Sequence, residues 1–259
     1  MISMKVKQKD GTVTKFPLGF TNGAGVGDID ENALNEMLID KCGDIQNYGE
    51  FVTALRSENA DPGFIDLGII EELVGRTLDK FAFEITFRID DFSENCAIFG
   101  LRNEPSVGNY SIMTGPTIDL GQEPGHHLAA ISYNYAASGG KWNLPIIAGE
   151  KCVVRIDGYK AVFNGQEYPK DLTPAGYYGR KALYLFAINN GYAGNETVAF
   201  NGMNKAIYDF KIYLIDDGIE TLSHHYRPYV NNKGVPCMLD VVTNKEYPAT
   251  LGTLVPENE

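Results

Sequence analysis

Phe81-Ala82-Phe83-Glu84-Ile85-Thr86-Phe87-Arg88-Ile89 is a strand signal, with Glu84, Thr86 and Arg88 sharing one face. Working outward, similar runs recur at Phe64–Ile70, Ala97–Leu101, Tyr110–Met113, Leu128–Tyr135 and Lys151–Ile156. They continue at Ala161–Phe163, Ala182–Ile188, Ala206–Ile215 and Met238–Val242. Many short strands broken by turns every eight to twelve residues or so predict an antiparallel two-sheet sandwich or barrel. Only Ile69–Leu78 reads as a short helix within that region. Asn59-Ala60-Asp61-Pro62-Gly63 is a strong turn, which puts the start of the β domain near residue 61 and its end near residue 255.

Residues 1–60 read differently. Lys5–Gln8 and Thr12–Phe16 flank Asp10-Gly11, the signature of a hairpin. A Gly-rich linker follows at Gly19–Gly27, and then a helical stripe of Leu34, Met37, Leu38 and Cys42. Ile45, Tyr48, Val52 and Leu55 alternate spacings of three and four, which predicts a second short helix. Gly43 and Gly49 each cost about 1 kcal/mol in a helix, so two helices fit better than one coiled-coil seam.

Composition narrows the function. The formal net charge of -12, without any basic run, argues against nucleic-acid and anionic-membrane partners. The N-terminal Met1-Ile2-Ser3-Met4-Lys5 lacks the apolar core of a signal peptide, and no stretch is apolar enough to span a bilayer. The expectation is a product made in a cytoplasm. Cys42, Cys96, Cys152 and Cys237 are widely spaced, which fits buried free thiols rather than zinc ligands or disulfides.

The tail carries a family resemblance. Ala206-Ile207-Tyr208-Asp209-Phe210-Lys211-Ile212-Tyr213 leads to Asp217-Gly218, Tyr226-Arg227-Pro228, Gly234–Lys245 and Tyr247. With Phe64–Ile69, Phe83–Arg88, the Cys152–Gln166 hairpin and Ala182–Asn189, it resembles the laminin-G / concanavalin A-like lectin domains of bacteriophage tail, fibre and other virion proteins. Cys237 stands where those relatives more usually carry Gly, and Leu239 where they carry an aromatic residue. The resemblance implies a jelly-roll sandwich over residues 61–255, with 1–60 as an attachment and oligomerisation segment. It further implies a tail, fibre or capsid-decorating virion protein, made in the host cytoplasm, whose sandwich decorates the surface or binds host glycan and which contacts other virion proteins as a homo-oligomer, a trimer fitting best. A bacterial cell-surface carbohydrate-binding or adhesion module is the alternative.

No catalytic constellation emerges. Glycoside hydrolysis needs two carboxylates at fixed separation, and Glu84 is followed on its face by Thr86 and Arg88, not by acids. Gly23-Ala24-Gly25-Val26-Gly27-Asp28 lacks the third glycine of a dinucleotide loop. Asp28-Ile29-Asp30 lacks the Gly and bidentate Glu of a calcium loop. Neighbours on a strand face opposite ways, so neither His126-His127 nor His224-His225 forms a metal site by itself. The expectation is a non-enzyme without cofactor or metal. Loop aromatics remain as glycan-binding candidates: Tyr133, Tyr135, Trp142, Tyr177, Tyr178 and Tyr192. Sugar C–H faces stack on such rings while polar neighbours read the hydroxyls.

Overall fold

A computed structural model describes residues 2–7, 13–18, 49–57, 61–74, 81–92, 96–102, 109–114, 130–133, 145–157, 160–169, 182–189, 198–199 and 205–258. The chain divides into two compact units, Met1–Gly49 and Glu50–Glu259. In the first, β1 (Ile2–Lys7) and β2 (Val13–Leu18) pair antiparallel, in keeping with the Asp-Gly signal between them. The linker and the helical stripe at Leu34–Cys42 lie outside the described residues.

The second unit is an antiparallel two-sheet β-sandwich, the fold class read from the sequence. Its strands begin with β3 (Glu50–Phe51), β4 (Ala54–Ser57) and β5 (Ile65–Ile69), followed by the short helix α1 (Ile70–Val74). Next come β6 (Phe81–Ile89), β7 (Cys96–Arg102), β8 (Asn109–Thr114), β9 (Ala130–Tyr133), β10 (Lys151–Asp157), β11 (Lys160–Phe163) and β12 (Gln166–Pro169). The last are β13 (Ala182–Leu185), β14 (Ile188–Asn189), β15 (Val198–Ala199), β16 (Lys205–Asp216), β17 (Ile219–Val230), β18 (Pro236–Asp240), β19 (Lys245–Pro248) and β20 (Leu254–Glu257). Among the described residues the larger sheet runs β12-β11-β10-β6-β16-β17-β18-β19, with β3, β4 and β20 joined alongside. The smaller sheet runs β15-β14-β7-β13-β5, with β8 and β9 extending from β7.

Alternation along β6 explains the layering. Phe81, Phe83, Ile85, Phe87 and Ile89 are all buried, while Glu84, Thr86 and Arg88 face outward. Phe83 and Phe210 from the larger sheet each meet Phe99 of the smaller one, with ring centroids 5.4 Å apart. Each buried Phe contributes up to about 3 kcal/mol, so this triad is a main tie between the layers. Cys152 and Cys237 are free and buried, and burial pushes both thiols up to about 12. At neutral pH they are packed, unionised sulfur.

The structure corrects one local reading. The segment whose spacing predicts a second helix carries β3 and β4 instead, so residues 50–57 belong to the sandwich unit. Ala206 and Ile207 of β16 pair with Arg56 and Leu55, and Leu254–Glu257 pairs on the other side of β4. Ala54 and Leu55 are both fully buried. Backbone partners on both edges of β4, together with the burial of Ala54 and Leu55, favour extended chain here and override a spacing of three and four.

The ends of the unit are tied together at two glycines. The Thr253 N–H donates to Asp61 O at 2.9 Å and Phe64 N–H to Leu251 O at 3.1 Å. A Cβ on Gly252 would lie 2.5 Å from Pro62 O, and one on Gly63 would lie 2.7 Å from Thr253 O. Only glycine lets the two backbones approach this closely.

Candidate functional site

Because the inner face of the larger sheet is apolar, its alternate residues build a polar outer face. Register places Arg155 (β10) beside Glu84 (β6), Glu84 beside Lys211 (β16), and Lys211 beside His225 (β17). These four residues come from distant parts of the chain and form one row across four strands. Lys211 Nζ donates to Glu84 Oε1 and to Asp209 Oδ2, each at 2.9 Å. His225 Nε2 lies 2.5 Å from Asp209 Oδ1. Arg155 donates to Glu220 Oε1 at 2.5 Å and its guanidinium covers the Tyr213 ring, 4.8 Å from the centroid. Burial opposes the charge on Lys211, yet its bonds to Asp209 and Glu84 prevail and push its pKa up. Burial and Glu84 push the Tyr213 hydroxyl up against the opposing pull of Lys211 and Arg155. Tyr213 therefore offers a neutral O–H on this face at physiological pH.

A second cluster sits along the same strands. Arg88 donates to Asp90 Oδ1 at 2.7 Å, to the Tyr208 hydroxyl at 2.6 Å and to Glu257 Oε1 at 2.9 Å. Arg56 also donates to Asp90. With these donors satisfied, the cluster serves to hold the C-terminal strand β20, and Asp90 is a structural partner.

The adjacent histidines face opposite ways, as strand geometry requires. His225 points to Asp209 on the outer face. His224 turns the other way: Nδ1 lies 2.8 Å from Asp240 Oδ2 and Nε2 lies 2.9 Å from Leu73 O in α1. Asp240 is fully buried and also accepts from the main-chain N–H of His225 and Val242 and from the Thr243 hydroxyl. Among the described residues there is no group of three or more His, Cys, Asp or Glu able to hold a metal ion.

Of the loop aromatics, Tyr133 is at the end of β9 opposite Tyr110. Tyr135, Trp142, Tyr177, Tyr178 and Tyr192 lie outside the described residues, as do His126 and His127. The structure instead brings together three residues that sequence reasoning does not select. Phe51 of β3 is opposite Tyr229 of β17, with ring centroids 5.3 Å apart, and the Arg227 guanidinium lies 4.3 Å from the Phe51 centroid. By spacing alone Phe51 falls within a helix, and a pairing between residues 51 and 229 leaves no local signal.

No family model matches the chain, and no curated protein matches it. Among solved structures it is similar to a protein from Bacteroides ovatus whose carbohydrate-binding role is itself a proposal. The two share 14% sequence identity with a TM-score of 0.47, over 85% of this chain and 62% of the other. This chain thus spans less than two thirds of that protein's length.

Proposed function

We propose that the sandwich is a non-catalytic, lectin-like module that binds a hydroxyl-rich ligand through the outer face of its larger sheet. The observation that carries this reading is the shared ammonium of Lys211. Glu84 and Asp209 are both hydrogen-bonded to this one cation, and Glu220 is held by Arg155. Cleavage by paired carboxylates needs one group free to give a proton and another free to attack or to activate water. A fixed lattice of alternating donors and acceptors, with Tyr213 among them, suits recognition of sugar hydroxyls better than bond cleavage.

The resemblance of the β16–β19 stretch to phage-encoded domains supplies the setting we propose, an oligomeric virion appendage attached through residues 1–49 and able to meet host glycans. Mass spectrometry of purified particles tests that setting, and particles lacking the polypeptide contradict it. The binding itself is tested by affinity electrophoresis through polysaccharide-containing gels, where we expect retardation without shortening of the polysaccharide.

A further inference from the structure

Where the outer face of the larger sheet reaches β3, its character changes from ionic to aromatic. Arg227 and Tyr229 face outward along β17, each following a buried residue, Tyr226 and Pro228. The Val52 N–H donates to Pro228 O at 3.2 Å, which fixes β3 against β17 and holds the Phe51 ring beside Tyr229. Phe51 remains 48% exposed. A large apolar ring kept half open to water on a strand only two residues long does little for the core, whose aromatic residues are buried elsewhere.

The charges around the ring are equally distinctive. Arg227 is exposed, and among the described residues it has no ion-pair partner, although the chain carries a net charge of -12. Its contact is the Phe51 face, which leaves guanidinium N–H groups directed to solvent. Register runs from Arg227 through Leu239 to Glu246, placing a carboxylate two strands away, about 10 Å at ordinary strand spacing. Asn231 Nδ2 donates to Glu246 Oε2 at 2.8 Å and orients it. Asn231 is itself fixed, since its Oδ1 accepts from the main-chain N–H groups of Lys233 and Val235.

We infer that Phe51, Tyr229, Arg227 and Glu246 form a sugar-stacking subsite for a neutral pyranose unit of a polysaccharide. An aromatic face receives the apolar C–H face of the ring. The guanidinium donors of Arg227 lie beside the rings and read hydroxyls of the stacked unit, and the oriented Glu246 carboxylate is an acceptor further along the face. Glu246, three strands from Phe51 across β17 and β18, meets the adjoining unit of the polysaccharide rather than the stacked one. Neutral rather than acidic sugars are indicated, because Glu50, Glu246 and the overall negative charge disfavour an anionic chain. This inference rests on the glycan-binding reading and locates a subsite within it.

The test measures dissociation constants of the full chain for a β-glucan, a galactomannan, soluble starch and polygalacturonate, alongside Phe51→Ala, Arg227→Met and Phe51→Trp. Phe51→Ala and Arg227→Met are expected to weaken binding of a neutral polysaccharide about tenfold or more, and Phe51→Trp to retain it. Thermal unfolding of each variant checks that the half-exposed substitution leaves the fold intact. Unchanged affinity in Phe51→Ala overturns the subsite and leaves glycan binding standing. Binding of polygalacturonate alone overturns the neutral-ligand assignment. No binding to any of the four by the unmodified protein overturns the subsite together with the reading on which it rests.

Discussion

Replacing Asp240 by Ala is expected to destabilise the sandwich by about 3–5 kcal/mol, among the largest single-residue losses in the molecule. Its carboxylate is fully buried and accepts from His225 N at 3.0 Å, Val242 N at 3.1 Å and Thr243 Oγ1 at 2.6 Å, with His224 Nδ1 at 2.8 Å. Removing it leaves the part-buried donors of Val242 and Thr243 in the β18–β19 turn and of His224 and His225 on β17 without their shared acceptor. The effect also depends on pH. Burial alone would raise the Asp240 pKa, but the bonds from Thr243, His225, His224 and Val242 outweigh it and hold the group below the usual carboxylate value. A group whose folded pKa is depressed contributes stability that is present above its unfolded pKa, about 3.9, and is lost as pH falls through the folded value. Chemical denaturation of the wild type and Asp240→Asn should therefore show a gap at pH 7 that narrows below about pH 4. A gap independent of pH would contradict the assignment.

The second large effect lies at the closure of the domain. Gly252→Ala is expected to cost about 3 kcal/mol or more, from two separable sources. Its φ of +70° is a left-handed conformation that costs an L-residue about 1–2 kcal/mol. The added methyl would also meet Pro62 O at 2.5 Å and Gly63 Cα at 2.8 Å, all of it backbone that cannot swing aside. Gly234 supplies the control, because its φ is +74° and a Cβ there would meet nothing within 4 Å. Gly234→Ala should lose only the conformational share, about 1 kcal/mol. Thermal melts of the two variants side by side separate the terms, at about 2–4 °C per kcal/mol for a unit of this size. Equal shifts would mean that the contact between the two ends of the unit contributes nothing.

How far the sequence reaches can be seen strand by strand. Phe81–Ile89 reads with the bounds the structure gives it, because every second residue is large and apolar and its partners on both sides bury that set. The twelve-residue β17 does not read as a strand. Its first four residues, Ile219-Glu220-Thr221-Leu222, are all exposed and show no alternation to detect. A proline at position 228 further argues against a strand with neighbours on each side. Pro228 is accommodated because its carbonyl serves the Val52 N–H while the strand passes on to β18.

The site is legible in kind more than in place. Sequence reasoning finds no carboxylate pair of the hydrolytic type on β6, where Glu84 bonds to Lys211. It also places His224 and His225 on opposite faces, as found. The row of Arg155, Glu84, Lys211 and His225 cannot be read, since the pairings that assemble it span up to 127 positions along the chain. The aromatic choice falls on loop residues, where ring-bearing segments stand out by composition. Phe51 and Tyr229 become neighbours only once β3 docks on β17, and that pairing has no counterpart in local spacing.

Glycan binding without cleavage is the role proposed for the outer face of the larger sheet. Affinity electrophoresis of the full chain through gels containing neutral polysaccharides, with the chain length and reducing ends of each polysaccharide followed after incubation, tests it most directly. Saturable retardation by at least one polysaccharide, relieved by free oligosaccharide and without new reducing ends, is expected. Unretarded migration through every gel, or accumulation of reducing ends, would contradict it.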